Sequence, residues 1–274
     1  MSRFRYTLQP DHVLDRDPFY YEVAPYQPLP PVVDLTEWMG PTRNQGQIGD
    51  CSGMATAGFR EWWARRFPDP RLPEQPLSAL FIYSEERLRE HTLNQDSGAR
   101  LRDAAWVLTN LGVCPETDWP STPDRLYTAP SEAAVTAAAP WRLPYAYRLG
   151  GLADCLHCLA AGYPAVIGIG ITPEWETDAV LESGIVPVPN PGAPLLGGHA
   201  ILLLGYHLAD QWVVIQNSWG NVGINGSGLF RVPFTYLNHY LWSAWTFRAA
   251  EAGPPTISED GARKATKAKG AKSA

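Results

Sequence analysis

The chain has 274 residues, 45% of them hydrophobic and 18% charged, enough for a sizeable core in one cleft-bearing domain or about two domains. Its net charge is −6 at pH 7, and all four lysines lie in the last eleven residues. An acidic body without lysine argues against a nucleic-acid-binding body and excludes a Ser–Lys or Schiff-base mechanism there. No apolar run approaches the ~18 residues that cross a bilayer. No signal segment is visible at the N-terminus.

These absences lead us to expect a cytoplasmic protein without a membrane contact. Export by a signal-less route, or packaging in a particle, would leave the same sequence features. The basic tail, 251–274, has almost no large apolar residues, so we expect it to be disordered. Such a tail could contact an acidic partner or nucleic acid, or have no role.

The first predicted segment, residues 1–33, is rich in proline and aromatic residues and has no helical or strand period. This composition predicts an extended N-terminal arm whose aromatic side chains lie against the body. Residues 34–140 follow as a mainly helical half. An apolar spacing of about four residues after Asp50, ended by Pro68, predicts an amphipathic helix with Cys51 in its first turn. Two further helices are predicted, over 78–91 and 101–111.

Residues 141–250 are predicted to form a second half that is rich in β-structure. A short helix over 152–161 precedes the β-branched run 165–171, which is typical of a buried strand. Clusters of Gly, Pro and Asn separate further predicted strands over 199–206, 211–217, 228–232 and 243–248. The Ala/Pro-rich stretch 127–144 is expected to connect the halves, so the predicted fold class is α+β.

Cys51 occupies a position that favours a reactive thiol. It follows a polar, glycine-rich turn and opens a helix, where free N–H groups and the helix dipole favour a thiolate. A nucleophilic cysteine needs a base and a group that orients the base. His199 begins an apolar strand and Asn217 ends another, both far downstream. One cysteine with a distant His and Asn is the pattern of a cysteine peptidase.

The other cysteines, Cys114, Cys155 and Cys158, have weaker grounds for chemistry. Four cysteines would allow three pairings as two disulfides. A zinc site at Cys155 and Cys158 would need two more ligands with suitable spacing. We therefore favour buried packing over a redox pair or a metal site, and we expect no metal.

Several segments make the sequence similar to a known family, the papain-like cysteine peptidases, and to its compact bacterial branch. Gln45 stands six residues before Cys51. The other matching segments are 96–99, 112–116, 119–120, 183–187, 198–206, 217–220 and 226–232. Together they span about residues 31–242. The resemblance implies a papain-like fold, with the helical half and the barrel-like β-rich half flanking an active-site cleft.

The resemblance also implies roles for individual residues. Cys51 would attack peptide bonds as a thiolate paired with the His199 imidazolium, with an acyl-enzyme intermediate and no cofactor. Asn217 would orient His199, and the Gln45 amide with the Cys51 N–H would form the oxyanion hole. Substrate-binding residues implied in the same way are Ser97, Gly98, Gly198 and Trp219, of which Trp219 would also shield the His–Asn bond.

Some positions depart from the family pattern. Ile48 replaces a disulfide cysteine of many secreted relatives, which suggests a reducing compartment. Ser52 replaces the usual aromatic residue after the nucleophile. Asp50 should cap the helix while raising the thiol pKa, and we expect the helix terminus and His199 to outweigh it.

The function implied is that of a cysteine endopeptidase acting on peptides or proteins. The same triad could serve an amidase, a deamidase or a transglutaminase-like effector, and a catalytically weak structural or binding protein could retain the fold. Larger secreted relatives carry inhibitory pro-domains. We therefore hypothesise that residues 1–33 occlude the cleft; the alternative is that they only cover an apolar surface.

Overall fold

The computed structural model describes residues 2–12, 14, 17–24, 26–190 and 192–250. The basic tail, with its expected disorder and partner contacts, lies outside the described residues. Within them the helices are α1 (Tyr20–Val23), α2 (Cys51–Arg66), α3 (Ala79–Arg89), α4 (Leu101–Asn110), α5 (Glu132–Ala138), α6 (Leu152–Ala160), α7 (Asp178–Ser183) and α8 (Phe234–Tyr240). The strands are β1 (Val32–Asp34), β2 (Tyr145–Arg148), β3 (Ala165–Ile171), β4 (Gly197–His207), β5 (Trp212–Gln216), β6 (Leu229–Pro233) and β7 (Leu241–Arg248).

The strands form one antiparallel sheet of seven strands in the order β2-β7-β3-β4-β5-β6, with β1 added against β4. Every residue of β3 is buried, as its continuous apolar run predicts. The five strands and four longer helices predicted from the sequence are present, with ends that differ from the predicted ones by at most two residues. The helices α5, α7 and α8 were not predicted, because six or seven residues carry little helical periodicity.

Helix α2 occupies the centre of the helical half. It packs against α3 on one side and β4 on the other. Every residue from Cys51 to Trp62 is buried, so the prediction of an amphipathic helix is wrong for its first three turns. A helix enclosed on both sides has no solvent face to make polar. It ends at Arg66, before Pro68, since proline disfavours helical geometry in the residue that precedes it.

Helix α3 begins one residue later than predicted because Ser78 acts as its N-cap. The Ser78 hydroxyl accepts a hydrogen bond from the Phe81 N–H at 3.0 Å, satisfying a donor that has no partner within the helix. No helix among the described residues is both long and apolar enough to span a bilayer.

The described part of the N-terminal arm contains one short helix, α1, which its composition did not predict. Ahead of α1, Asp17 pairs with Arg102, and its carboxylate lies 3.3 Å from the Arg148 guanidinium. Asp11 accepts a hydrogen bond from the Trp245 indole at 2.8 Å. These partly buried contacts hold Asp11 and Asp17 against α4 and the β2-β7 edge of the sheet.

Candidate active site

The antiparallel pairing of β4 and β5 brings His199 and Asn217 together. Leu202 of β4 lies opposite Gln216 at the end of β5, so the beginning of β4 adjoins the end of β5. His199 is the third residue of β4, and Asn217 directly follows β5. The His199 Nε2–H donates to Asn217 Oδ1 at 2.8 Å, and the Ser218 N–H donates to the same oxygen at 2.7 Å.

Cys51 reaches this pair because α2 packs along β4. The backbone N–H of Ala200, the residue after His199, lies close enough to the Cys51 thiol to lower its pKa. His199 Nδ1 has no hydrogen-bond partner among the described residues, so this nitrogen is free to act on a reacting group. The structure thus brings Cys51, His199 and Asn217 to the junction of α2, β4 and β5.

The charge state of the pair differs from the sequence-based expectation. Burial raises the pKa of the Cys51 thiol to about 12, and Asp50 and Glu86 add to the rise. Burial also lowers the pKa of His199 to about 4, against the opposing hydrogen bond to Asn217. In this covered state Cys51 is therefore a thiol and His199 a neutral imidazole at pH 7. Desolvation outweighs the helix terminus.

Gln45 is held beside the site by Ser218. The Ser218 hydroxyl donates to Gln45 Oε1 at 2.7 Å, and the Gln45 N–H donates to the Ser218 carbonyl at 3.0 Å. The Gln45 side-chain amide donates to the Ile48 carbonyl at 3.0 Å. Sequence reasoning gave Ser218 no role, although it lies between Asn217 and Trp219 in a matching segment.

Asp50 does not cap α2. Its side chain makes no capping hydrogen bond, and neither carboxyl oxygen has a hydrogen-bond partner among the described residues. Burial raises the pKa of Asp50 to about 8, so the group is mostly protonated at pH 7. Ser52 instead donates to the buried Glu86 carboxyl at 2.7 Å.

Trp219 covers the imidazole. Its ring stacks on His199 at a centroid distance of 5.1 Å. Behind it lie the rings of Trp175 and Phe230, at 5.9 Å and 6.1 Å. This aromatic layer covers the buried His199 ring.

The arm runs through the cleft between the two halves, along backbone groups predicted to bind substrate. The Leu8 N–H donates to the Gly198 carbonyl at 3.1 Å, and the Gln9 N–H to the Ala99 carbonyl at 3.0 Å. The Gln9 side chain reaches the Ser97 carbonyl at 3.4 Å. At Gly98 an added Cβ would stand 1.7 Å from the Thr7 carbonyl, so only glycine permits this approach.

Aromatic side chains of the arm cover the candidate catalytic residues. Phe4 stacks on Trp219 with ring centroids 4.2 Å apart and planes 7° apart. Tyr6 meets the His199 ring edge-on at 5.9 Å. Leu8 is only 3% exposed and lies against Gly168. Both Cys51 and His199 are consequently inaccessible to solvent.

Glu176, just before α7, holds the first residues of the arm. Its carboxylate accepts the hydroxyls of Ser2 and Tyr6, the latter at 2.9 Å, and the Arg3 N–H at 3.0 Å. Arg3 also pairs with the Asp178 carboxylate at 2.6 Å. No local sequence pattern identifies Glu176, because its partners are about 170 residues away along the chain.

The remaining cysteines behave as the sequence predicts. Cys114, Cys155 and Cys158 are free thiols buried in the core. Within the described part of the chain, no group of three or more His, Cys, Asp or Glu side chains could hold a metal ion.

Comparison with known proteins identifies the class. No family model matches the sequence. A peptidase C1-like protein of Acanthamoeba polyphaga mimivirus is 30% identical over 205 residues, which are 71% of this chain and 64% of the viral protein. The chain thus spans a little under two thirds of that relative's length.

Solved structures agree with this result. Xylellain, a cysteine protease from Xylella fastidiosa, superposes with a TM-score of 0.80 at 31% identity, over 89% of this chain and 96% of xylellain. The Carica candamarcensis protease CMS1MS2, solved with E-64, has the same fold, with a TM-score of 0.59 at 18% identity over 81% and 100% of the two chains. The fold is that of a papain-like cysteine protease. The chain belongs to this family. The name of the viral relative, peptidase C1-like, agrees with this assignment.

Proposed function

We propose that the chain hydrolyses peptide bonds through Cys51, with His199 as acid and base, and that residues 2–9 hold the site closed until they leave the cleft. The observation that carries this proposal is the 2.8 Å hydrogen bond from His199 Nε2 to Asn217. It fixes the imidazole with Nδ1 free for proton transfer. Peptides and proteins are the proposed substrates, and the relatives named above are all proteases or peptidase-like.

The proposed reaction has two stages. With the arm displaced, water enters the cleft, desolvation is relieved, and the Cys51 proton passes to His199 Nδ1. The Cys51 sulfur attacks the substrate carbonyl carbon, and His199 protonates the departing amine, which leaves an acyl-enzyme. His199 then takes a proton from water, and the resulting hydroxide attacks the acyl carbon. The carbon–sulfur bond breaks to release the carboxylic acid, and His199 returns its proton to the Cys51 sulfur.

Gln45 and the Cys51 N–H are the proposed donors to the oxyanion. Such donors contribute about 2.7–4 kcal/mol each in other enzymes. Ser218 is a positioning residue in this scheme, because it holds Gln45 through Oε1 and Asn217 through its own N–H. One residue would thus orient both neighbours of the reacting centre.

The arm is proposed to inhibit in two ways. Its backbone occupies the groups of Gly98 and Gly198 that a substrate would use, and its side chains exclude the water that would stabilise a thiolate–imidazolium pair. The ion pairs of Asp17 with Arg102 and Arg148 favour release of residues 2–9 alone, while residues 17–24 stay on the body.

Covalent labelling tests the proposed nucleophile. E-64, a thiol-reactive epoxide, is expected to add once per chain, at Cys51, and the Cys51→Ala variant is expected to remain unlabelled. Peptide mapping by mass spectrometry identifies the site, with the buried Cys114, Cys155 and Cys158 as internal controls. Labelling of those cysteines instead, or labelling unaffected by His199→Ala, would contradict the proposal.

Acid is expected to loosen the arm through Glu176. Partial burial raises the pKa of this carboxyl, but its hydrogen bonds with Ser2, Arg3 and Tyr6 outweigh burial and hold the pKa below the ordinary 4.5. A depressed pKa in the docked state stabilises docking above pH 4.5, and that stabilisation is lost as the pH falls below it. Hydrogen exchange of residues 2–9, corrected for intrinsic rates, should therefore accelerate below about pH 4.5.

The Glu176→Gln variant is the control for this pH dependence. It should exchange faster than wild type at pH 7 and show a smaller additional step in acid. An acid step of the same size in wild type and variant would assign the pH dependence to another group.

A further inference from the structure

Asp96 is a carboxylate beside the cleft that the proposed mechanism does not use. It lies in the loop between α3 and α4, and its side chain is 8% exposed with the arm in place. It accepts the Gly49 N–H at 3.1 Å and the Tyr83 hydroxyl at 2.7 Å. The same hydroxyl accepts the Gly98 N–H at 2.9 Å. Asp96 is therefore fixed both to the turn before Cys51 and to the segment that pairs with the arm.

This carboxylate binds a cation from the arm. The Arg5 Nε lies 2.9 Å from Asp96 Oδ2, and an Arg5 terminal nitrogen donates to the Asp96 carbonyl at 2.8 Å. The guanidinium thus lies against both the carboxylate and the carbonyl of one residue, with an ion pair at Oδ2 and a hydrogen bond at the carbonyl, although the Arg5 Nε–H itself makes no hydrogen bond. The other cleft carboxylates, Glu176 and Asp178, hold the arm's first residues instead.

When the arm leaves, Asp96 loses its cation but keeps its hydrogen bonds to Gly49 and Tyr83. The buried Arg87 guanidinium, which stacks on Tyr83, still lies near Asp96, but Asp96 Oδ2 has lost the ion-pair partner that Arg5 supplied. A ligand that restores a cation at this oxygen therefore gains binding energy. We infer that Asp96 determines specificity: it receives the arginine or lysine side chain of the substrate residue that immediately precedes the scissile bond. This inference rests on the proposed peptidase function and adds the substrate class.

The position along the substrate follows from the neighbours of Asp96. Gly49 stands two residues before Cys51. Gly98 contacts the backbone of the arm at Thr7, within the cleft. The hydroxyl of Thr7, whose backbone lies on Gly98, donates to the Gly49 carbonyl at 3.2 Å. A side chain leaving the bound backbone between Gly98 and Cys51 therefore points to the Gly49–Asp96 side of the cleft. That is where the residue attacked by Cys51 must lie.

The test compares two peptides that differ in one charge. They share one sequence, with arginine or citrulline before the scissile bond; citrulline keeps the shape and length of arginine and is neutral. We expect wild type to show a kcat/KM about tenfold higher for arginine, since the Arg5 side chain that models the contact is 41% exposed and the pair is only partly desolvated. The Asp96→Asn variant should bring the ratio near one, while its amide oxygen can still accept from Gly49 or Tyr83.

Each ratio is measured on a single variant, so changes in arm docking or folding cancel. Asp178→Asn is the matched control, because it also removes a carboxylate that pairs with an arm arginine, and it should keep the wild-type ratio. Two outcomes would overturn the specificity role of Asp96 and leave the peptidase function standing. One is equal cleavage of both peptides by wild type, and the other is an equal loss of preference in Asp96→Asn and Asp178→Asn. If no variant cleaves either peptide, even when Phe4→Ala is added to release the arm from Trp219, the peptidase function itself is wrong, and this inference falls with it.

Discussion

Replacing His199 by alanine is expected to reduce kcat/KM for a peptide substrate by about 10⁴-fold or more, the range seen when a member of such a triad is removed. The variant loses both the base that takes the Cys51 proton and the acid that protonates the leaving amine. Hydrolysis of a fluorogenic peptide at pH 7, with enzyme concentration determined independently, measures the effect. Cys51→Ala should lose activity to a similar extent, because the two residues act as one unit.

A second histidine on the same strand provides the control. His207 lies at the opposite end of β4, is 29% exposed and pairs with Asp210. His207→Ala should retain the wild-type kcat/KM. Thermal unfolding of both variants separates a catalytic loss from a folding defect. A His199→Ala enzyme that folds normally and keeps more than a tenth of wild-type activity would exclude the proposed acid and base.

Replacing Phe4 by alanine is expected to increase the initial rate of peptide hydrolysis by roughly tenfold to a hundredfold. Complete burial of an aromatic side chain contributes about 1.5–3 kcal/mol. Phe4 is partly buried, and its stacking on the Trp219 ring, 4.2 Å away, adds about 0.5–1.5 kcal/mol. Losing this contact shifts the arm toward the released state, while the catalytic residues are unchanged. Tyr6→Phe should have a smaller effect in the same direction, since it removes only the hydrogen bond to Glu176.

Tyr21 is the matched aromatic control within the arm. Its side chain is 50% exposed and belongs to α1, away from the cleft contacts of residues 2–9. Tyr21→Ala should leave the initial rate unchanged. Equal rates in wild type and Phe4→Ala would mean that the arm does not limit access, and that it only covers the surface beneath it. A gain in Tyr21→Ala as large as that in Phe4→Ala would indicate general loosening of the arm.

The covered state also bears on the reactivity of the nucleophile. A helix N-terminus should favour a thiolate at Cys51, yet burial beneath the arm raises its pKa to about 12. Desolvation has the larger effect on the Cys51 pKa because it disfavours the full negative charge of the thiolate. The helix dipole offers only a partial positive charge in compensation. The docked arm therefore keeps Cys51 as a poorly reactive thiol as well as blocking the substrate.

Several features of the site follow from local sequence patterns. The helix that begins at Cys51 is visible in the apolar spacing and the break at Pro68. The strand that carries His199 and the strand that leads into Asn217 are visible as apolar runs between turn residues. Gln45 and Trp219 come from the resemblance of short segments to a family. In all of these cases the relevant information lies within a few residues.

The contacts of Glu176 and Asp96 with the arm could not be predicted in this way. Each carboxylate contacts Arg3 or Arg5 across a large separation in sequence. No local pattern around the carboxylates or in the arm indicates these contacts. The failure of Asp50 to cap α2, and the burial of that helix on both sides, likewise depend on how α3 and β4 enclose it.

The sequence by itself determined the α+β class, the family resemblance and the candidate triad, because periodicity, turn residues and motif spacing are local properties. Only the tertiary structure decided that residues 2–9 fill the cleft, that Cys51 and His199 are uncharged beneath them, and that Asp96 holds a cation beside the nucleophile. Those properties arise from desolvation and from pairing between distant segments, and both exist only once the chain has folded.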